Sequence, residues 1–123
     1  MFEHIWTEKE RDNRIKKEQK RLINIFANME EDKRDTVDGL IQNAAFQYVM
    51  LSELSMIIKR DGYVEEYKNG ANQSGLKKSA AVESYDKCLN TYSKIVGQLC
   101  NLLPEGTEST PGAELMSFIG KGK

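Results

Sequence analysis

The stretch that decides the fold is residues 79–103, SAAVESYDKCLNTYSKIVGQLCNLL. One apolar series in it alternates spacings of four and three residues, which is the period of a helix face and not of a strand. A second series repeats every seven residues beside the first and widens that face beyond a two-stranded coiled-coil seam. The first series is Ala81, Tyr85, Cys88, Tyr92, Ile95, Leu99 and Leu102, and the second is Val82, Leu89, Val96 and Leu103. The pattern predicts a central helix over 79–103, capped by Ser79 and stopped by Pro104.

A second long helix is predicted over 31–60, and it is apolar around most of its circumference. A surface helix of a monomer needs only one apolar face, so this one is expected to be covered from two directions. The second cover would be another copy of the chain, since apolar positions lie on both predicted helices outside their main stripes. The expected oligomer-interface residues are Phe46, Val49, Met50, Ile57, Leu89 and Val96.

Between these helices, residues 62–76 (GYVEEYKNGANQSGL) contain the one predicted β element. Asn69-Gly70 is typical of a two-residue hairpin turn, because both positions tolerate the positive φ that a type I′ turn requires. The arms of the hairpin are predicted at 63–68 and 71–76. An isolated two-stranded hairpin is marginal in water, so this one should lie against the helices or against a neighbouring copy.

The first helix is predicted over 7–30, where Thr7 and Glu10 have the form of a capping box. Apolar residues at helical spacing occur mainly in its C-terminal half, so its first half is expected to project from the body or to fray. After Pro104, Thr110-Pro111 predicts a short last helix over 110–119. The whole chain, 1–123, is therefore expected to be one all-α domain of long antiparallel helices with one short β-hairpin between the second and third.

Positive charge is concentrated in the first helix, although the chain as a whole has a net charge of −1. Seven cations and three anions between Lys9 and Arg21 give a local net charge of +4. These cations are the candidate DNA-binding residues: Lys9, Arg11, Arg14, Lys16, Lys17, Lys20 and Arg21. A cationic helix can contact phosphates without reading sequence, and it can equally be a solvated face with i to i+4 ion pairs. Lys59-Arg60 and Lys77-Lys78 form a second, weaker candidate.

No pattern in the sequence indicates an enzyme, a metal site or a cofactor. His4 is the only histidine and has no cysteine or carboxylate at ligand spacing nearby. Cys88 and Cys100 would lie about 18 Å apart on one helix, too far for a disulfide, and are expected to be reduced core or interface thiols. No apolar run approaches the roughly 20 residues of a membrane span. The expected catalytic, metal and cofactor assignments are therefore none.

Residues 84–104, SYDKCLNTYSKIVGQLCNLLP, resemble the pattern SYNxxxxxYxxxxxQLxxLLP of small terminase subunits from phages and prophages of Gram-positive bacteria. The likeness extends over roughly 35–119, including the hairpin and the short helix that contains GAELMSFI. The matching residues are Gly62, Asn69, Gly70, Ser84, Tyr85, Tyr92, Gln98, Leu99, Leu102, Leu103 and Pro104.

The resemblance implies a DNA-packaging protein in the cytoplasm of a bacterial host. Such subunits form homo-oligomeric rings of about eight to eleven copies, bind double-stranded viral DNA, and recruit and regulate the large terminase subunit that carries the ATPase and nuclease. This chain lacks an evident N-terminal helix-turn-helix, which favours backbone contacts by the basic helix over major-groove reading. The alternative is a helical adaptor or structural phage protein that acts through protein–protein contacts and does not bind DNA.

Overall fold

The computed structural model describes residues 3–68, 70 and 74–102. Three helices and a hairpin follow in the order α1 (Glu8–Ile25), α2 (Glu31–Asp61), β1 (Val64–Lys68), β2 (Ser74–Lys78) and α3 (Ala80–Asn101). The prediction of a mostly helical chain with a short antiparallel hairpin between the second and third helices is confirmed. The predicted helix over 110–119 lies outside the described residues.

Side-chain caps set the starts of α1 and α3. The hydroxyl of Thr7 accepts a hydrogen bond from the backbone N–H of Glu10 at 3.1 Å, and Ser79 Oγ accepts one from Val82 N–H at 3.2 Å. Each satisfies one of the donors that a helix start leaves without an intrahelical partner. Helix α1 ends at Ile25, five residues before the predicted end, because 26–28 form a turn.

Helix α2 lies between α1 and α3 and packs against both. The core contains Leu22 from α1, Phe26 from the turn that follows it, Leu51 and Ile57 from α2, and the α3 residues Tyr92, Val96 and Leu99. The apolar circumference of α2 is thus covered from two directions, as its sequence requires. The bodies that cover it are two other helices of the same chain.

This packing corrects half of the expected oligomer interface. Val49 is 2% exposed, and Ile57 and Val96 are 0% exposed within the single chain, so they cannot contact a second copy. Met50 and Leu89 are half-buried and pack against the core. Phe46 remains 43% exposed. The sequence correctly required a second cover for α2 but could not specify that α1 and α3 would supply it.

The hairpin differs from its prediction in register. Lys68 pairs with Ser74 and Val64 with Lys78, so residues 69–73 connect the strands instead of a two-residue turn. The second strand consequently begins three residues later than predicted. The ring of Tyr67 lies across Gly75, where an added Cβ would be 3.1 Å from the ring carbon Cε1. A side chain at position 75 would displace that ring.

Candidate nucleic-acid interface

The start of α1 does not project, which corrects the sequence-based expectation. A carboxylate oxygen of Glu53, on α2, accepts hydrogen bonds from the backbone N–H groups of Ile5 at 2.9 Å and Trp6 at 2.8 Å. Glu53 is 4% exposed and Trp6 is 9% exposed. The chain ahead of α1 is therefore fixed on α2 by a buried acceptor. One signal was available: Glu53 is an acid between the apolar residues Leu51 and Leu54 of a long helix.

Arg11 contributes its charge to this same attachment. Its Nε lies 3.5 Å from the second carboxylate oxygen of Glu53, and its side chain is 24% exposed. His4 Nδ1 approaches Glu53 at 3.7 Å from the solvent side. A buried carboxylate needs such partners, since desolvation without compensation is costly. Arg11 is therefore better placed to neutralise Glu53 than to bind a phosphate.

Arg21 is held in a similar way by Glu18. Two hydrogen bonds of 2.8 Å and 2.7 Å join the guanidinium to the Glu18 carboxylate, whose side chain is 6% exposed. This fork geometry is the strongest arrangement of an arginine and a carboxylate, and it raises the pKa of Arg21 further. Burial, followed by the negative charge of Glu18, raises the pKa of the Tyr48 and Tyr92 hydroxyls. The Arg21 guanidinium is thus paired with Glu18 and is less available to an external anion.

Arg14 stacks on an aromatic ring at the entrance to a cleft between α1 and α2. Its guanidinium carbon lies 4.1 Å from the centroid of the Trp6 ring, within the range of a cation–π interaction. The cleft has a volume of about 600 Å³ and is lined by Trp6, Arg14, Lys17, Glu18, Arg21, Asn24, Tyr48, Val49 and Ser52. Arg14 is exposed and keeps its charge at the surface, although Trp6 restricts its position.

The other four predicted cations form the solvent-facing side of α1. Lys9, Lys16, Lys17 and Lys20 are all exposed, and in the described part of the chain none has an ion-pair partner. With Asn13 and Asn24 they occupy an arc of about 100° around the helix axis, at 3.6 residues per turn. The acids of α1 lie outside that arc. We call these six residues the lysine stripe.

The lysine stripe contains four of the seven cations that were predicted to bind DNA. Along the helix it extends about 22 Å at a rise of 1.5 Å per residue, which is several phosphate spacings of a duplex. Lys9, Lys16, Lys17 and Lys20 remain available to an external anion. Arg11 and Arg21 pair with buried carboxylates. Arg14 is intermediate in availability, since it is exposed but stacked on Trp6.

The second basic candidate is more strongly neutralised. Arg60 forms two hydrogen bonds with Asp61, Lys77 lies 3.6 Å from Glu65, and Lys78 lies 3.3 Å from Asp86. Exposed pairs of this kind contribute little to stability but reduce the local positive potential. The lysine stripe is therefore the better candidate for an anionic partner.

The cysteines lie on α3, Cys88 in the core and Cys100 half-buried, and both are free thiols. Burial raises the pKa of each thiol, which disfavours the reactive thiolate. Across 3–68, 70 and 74–102, no group of His, Cys, Asp or Glu side chains could hold a metal ion. Within those same residues, no helix combines the length and apolar character needed to cross a bilayer.

Comparison with known proteins returned no family model, no curated protein and no solved structure that matches this chain. Functional assignment therefore depends on the site itself and on the sequence resemblance described above.

Proposed function

We propose that this protein is a small terminase subunit that binds double-stranded viral DNA through the lysine stripe of α1. In this role it acts as a homo-oligomeric ring of about eight to eleven copies, and it recruits and regulates the large terminase subunit, which carries the ATPase and nuclease. The observation that carries the DNA-binding part is the segregation of four exposed lysines on one acid-free face of a helix that is docked on the body. The terminase assignment rests on the resemblance over 35–119.

The chemistry of the lysine stripe suits phosphate contact more than base reading. Lysine ammonium groups act as mobile point charges, and asparagine amides can donate hydrogen bonds to phosphate oxygens. Such contacts fix a protein on the duplex without carrying sequence information. A ring would present one stripe per subunit to the same duplex, so weak contacts would combine into a high, salt-sensitive avidity.

The test is a variant in which Lys9, Lys16, Lys17 and Lys20 are all replaced by glutamine. Duplex binding would be measured by fluorescence anisotropy over a range of salt concentrations. Because each phosphate contact contributes about −0.9 to the slope of log K against log salt, losing up to four contacts per subunit should flatten the slope by about 3 to 4 for each subunit that contacts the duplex.

The matched control replaces four other exposed lysines, Lys33, Lys59, Lys87 and Lys94, by glutamine. It removes the same charge from α2 and α3 and should leave the slope near the wild-type value. Equal losses in both variants would mean that only net charge matters. Wild-type binding by the stripe variant would exclude the lysine stripe as the DNA site.

A protein adaptor that never binds DNA is the second candidate, and the exposed hairpin favours it, since all described residues of β1 and β2 except Gly75 are exposed. The two functions differ in a direct measurement. If wild-type protein forms an assembly well above 14.0 kDa by light scattering but fails to bind duplex at low salt, the adaptor function stands and the terminase proposal falls.

A further inference from the structure

The hairpin between α2 and α3 is the least buried element of the fold. Every residue of β1 is exposed, and in β2 only Gly75 is half-buried. The three most exposed large apolar residues of the described chain lie in the hairpin or at its base: Tyr63 at 72%, Leu76 at 69% and Val64 at 57%. A two-stranded sheet without cover is marginal in water. Something outside the described chain is therefore expected to stabilise it.

The register shows which backbone groups are available for that purpose. Ser79 N–H donates to Tyr63 C=O at 2.8 Å, so this pair continues the ladder as a hydrogen-bonded pair. Hydrogen-bonded and non-hydrogen-bonded pairs alternate in an antiparallel ladder. The pairs Val64 with Lys78, Glu66 with Leu76, and Lys68 with Ser74 therefore direct their N–H and C=O groups outward. Both long edges of the hairpin can accept another strand.

The two edges carry opposite charge. Strand β1 is VEEYK, in which Glu65 and Glu66 outweigh Lys68 for a net charge of −1, whereas β2 is SGLKK and has a net charge of +2 from Lys77 and Lys78. Pairing β1 with a second β1 would bring glutamates together, and pairing β2 with a second β2 would bring lysines together. Like charges in cross-strand positions are destabilising and opposite charges are stabilising. Lysines on an edge strand normally oppose association, but here a complementary acidic edge exists on the same molecule.

We propose that the hairpin is the joint between copies of this chain, with the free edge of β2 in one copy paired to the free edge of β1 in the next. Each junction would repeat between chains the glutamate–lysine contact that Glu65 and Lys77 make within one chain at 3.6 Å. The contact is heterologous, since one copy uses its basic edge and the next its acidic edge. Repeated contacts of this kind close into a ring when the rotation per copy allows it.

This inference deepens the ring part of the proposed function by naming its surface, and it does not depend on DNA. The experiment uses a full-length chain in which both strands exchange charge: Glu65→Lys, Glu66→Lys, Lys77→Glu and Lys78→Glu. Composition and net charge are unchanged, and the Glu65–Lys77 contact is preserved with reversed polarity, whereas the exposed pair of Lys78 with Asp86 on α3 is lost. Wild-type protein labelled with ¹⁵N would be mixed with the unlabelled variant, disassembled by dilution, reconcentrated and examined by native mass spectrometry.

The composition of the assemblies discriminates between the arrangements. Head-to-tail joining predicts that each protein assembles with itself and that mixed assemblies are depleted, because a wild-type basic edge would meet a variant basic edge. Edge pairing between identical strands predicts the opposite, a preference for mixed assemblies. Statistical mixing would show that the hairpin edges do not form the joint. Either of these last two results, or a monomeric wild-type protein, would overturn the proposal.

A backbone variant gives a second, independent measurement in case the exchanged hairpin does not form. Leu76→Pro removes an N–H that faces the free edge of β2, leaving the bonds inside the hairpin in place, since proline is tolerated on the open side of an edge strand. It should reduce the assembly to the 14.0 kDa monomer, whereas Leu76→Ala, which keeps the N–H, should still assemble. Wild-type assembly by Leu76→Pro would contradict edge pairing. Because both measurements are made without DNA, they leave the DNA-binding result unaffected.

Discussion

Helix α3 and the hairpin are consecutive in the chain, yet their side chains have opposite environments. Tyr92, Val96 and Leu99 of α3 are 0% exposed, whereas β1 buries no residue at all. Both segments contain aromatic and aliphatic residues, so composition does not account for the contrast. The difference is that α3 packs against α2, while in the described part of the chain every residue of β1 and β2 except Gly75 is exposed. The helical body has a buried core, and no residue of β1 or β2 belongs to it.

The largest effect is expected for a cavity in the helical body. Leu51 of α2 is 0% exposed, and Leu51→Ala should lower the free energy of unfolding by about 2 to 5 kcal/mol, from lost apolar burial and the space left behind. Urea unfolding followed by circular dichroism at 222 nm would measure it. A loss below about 1 kcal/mol would mean that the three helices do not pack as one core.

An intermediate effect is expected where the start of the chain meets α2. Glu53→Gln removes the charge that faces Arg11 and weakens acceptance from the N–H groups of Ile5 and Trp6, so it should cost about 1 to 3 kcal/mol. Trp6 is the only tryptophan, and its fluorescence should shift to the red as that segment becomes solvated. Glu66→Gln on the exposed hairpin is the matched control and should change neither signal. Unchanged Trp6 emission in Glu53→Gln would show that the attachment does not depend on this carboxylate.

The smallest effect on the single chain is expected in the hairpin. Leu76→Ala makes the same chemical change as Leu51→Ala but at a side chain that is 69% exposed, so it should alter the free energy of unfolding by less than about 0.5 kcal/mol. The measurement should be made at a concentration low enough for the protein to be monomeric, because oligomerisation raises the apparent free energy of unfolding. A loss comparable to that of Leu51→Ala would mean that the hairpin packs on the body in solution.

The lysine stripe shows how much of the candidate site the sequence could predict. All seven cations of α1 were identified from local charge, but which of them remain available depends on contacts with α2 and within α1. Arg11 forms an ion pair with Glu53, which is distant in sequence, and Arg21 forms one with the buried Glu18. Counting charges along the sequence treats the seven cations as equivalent. The carboxylates that pair with Arg11 and Arg21 become buried only when α1 packs against α2.

The hairpin shows the same limit at the level of register. Asn69-Gly70 correctly marked a reversal of the chain, and Gly70 does have a positive φ of 76°. The strands nevertheless pair Lys68 with Ser74, which lengthens the connection to 69–73. Turn propensity is local, whereas register also depends on where Ser79 joins Tyr63 at the base of the hairpin and on the ring of Tyr67 over Gly75.

The sequence by itself determined the three helices, their caps at Thr7 and Ser79, and the presence of a hairpin between α2 and α3, because helix period, capping and chain reversal depend on residues a few positions apart. Only the tertiary structure decided which surfaces stay open. Val49, Ile57 and Val96 became core, Glu53 became the buried acceptor for the start of the chain, and the lysine stripe and the hairpin edges stayed exposed. Those outcomes depend on which helix meets which, and side chains distant in sequence meet only after the helices have packed.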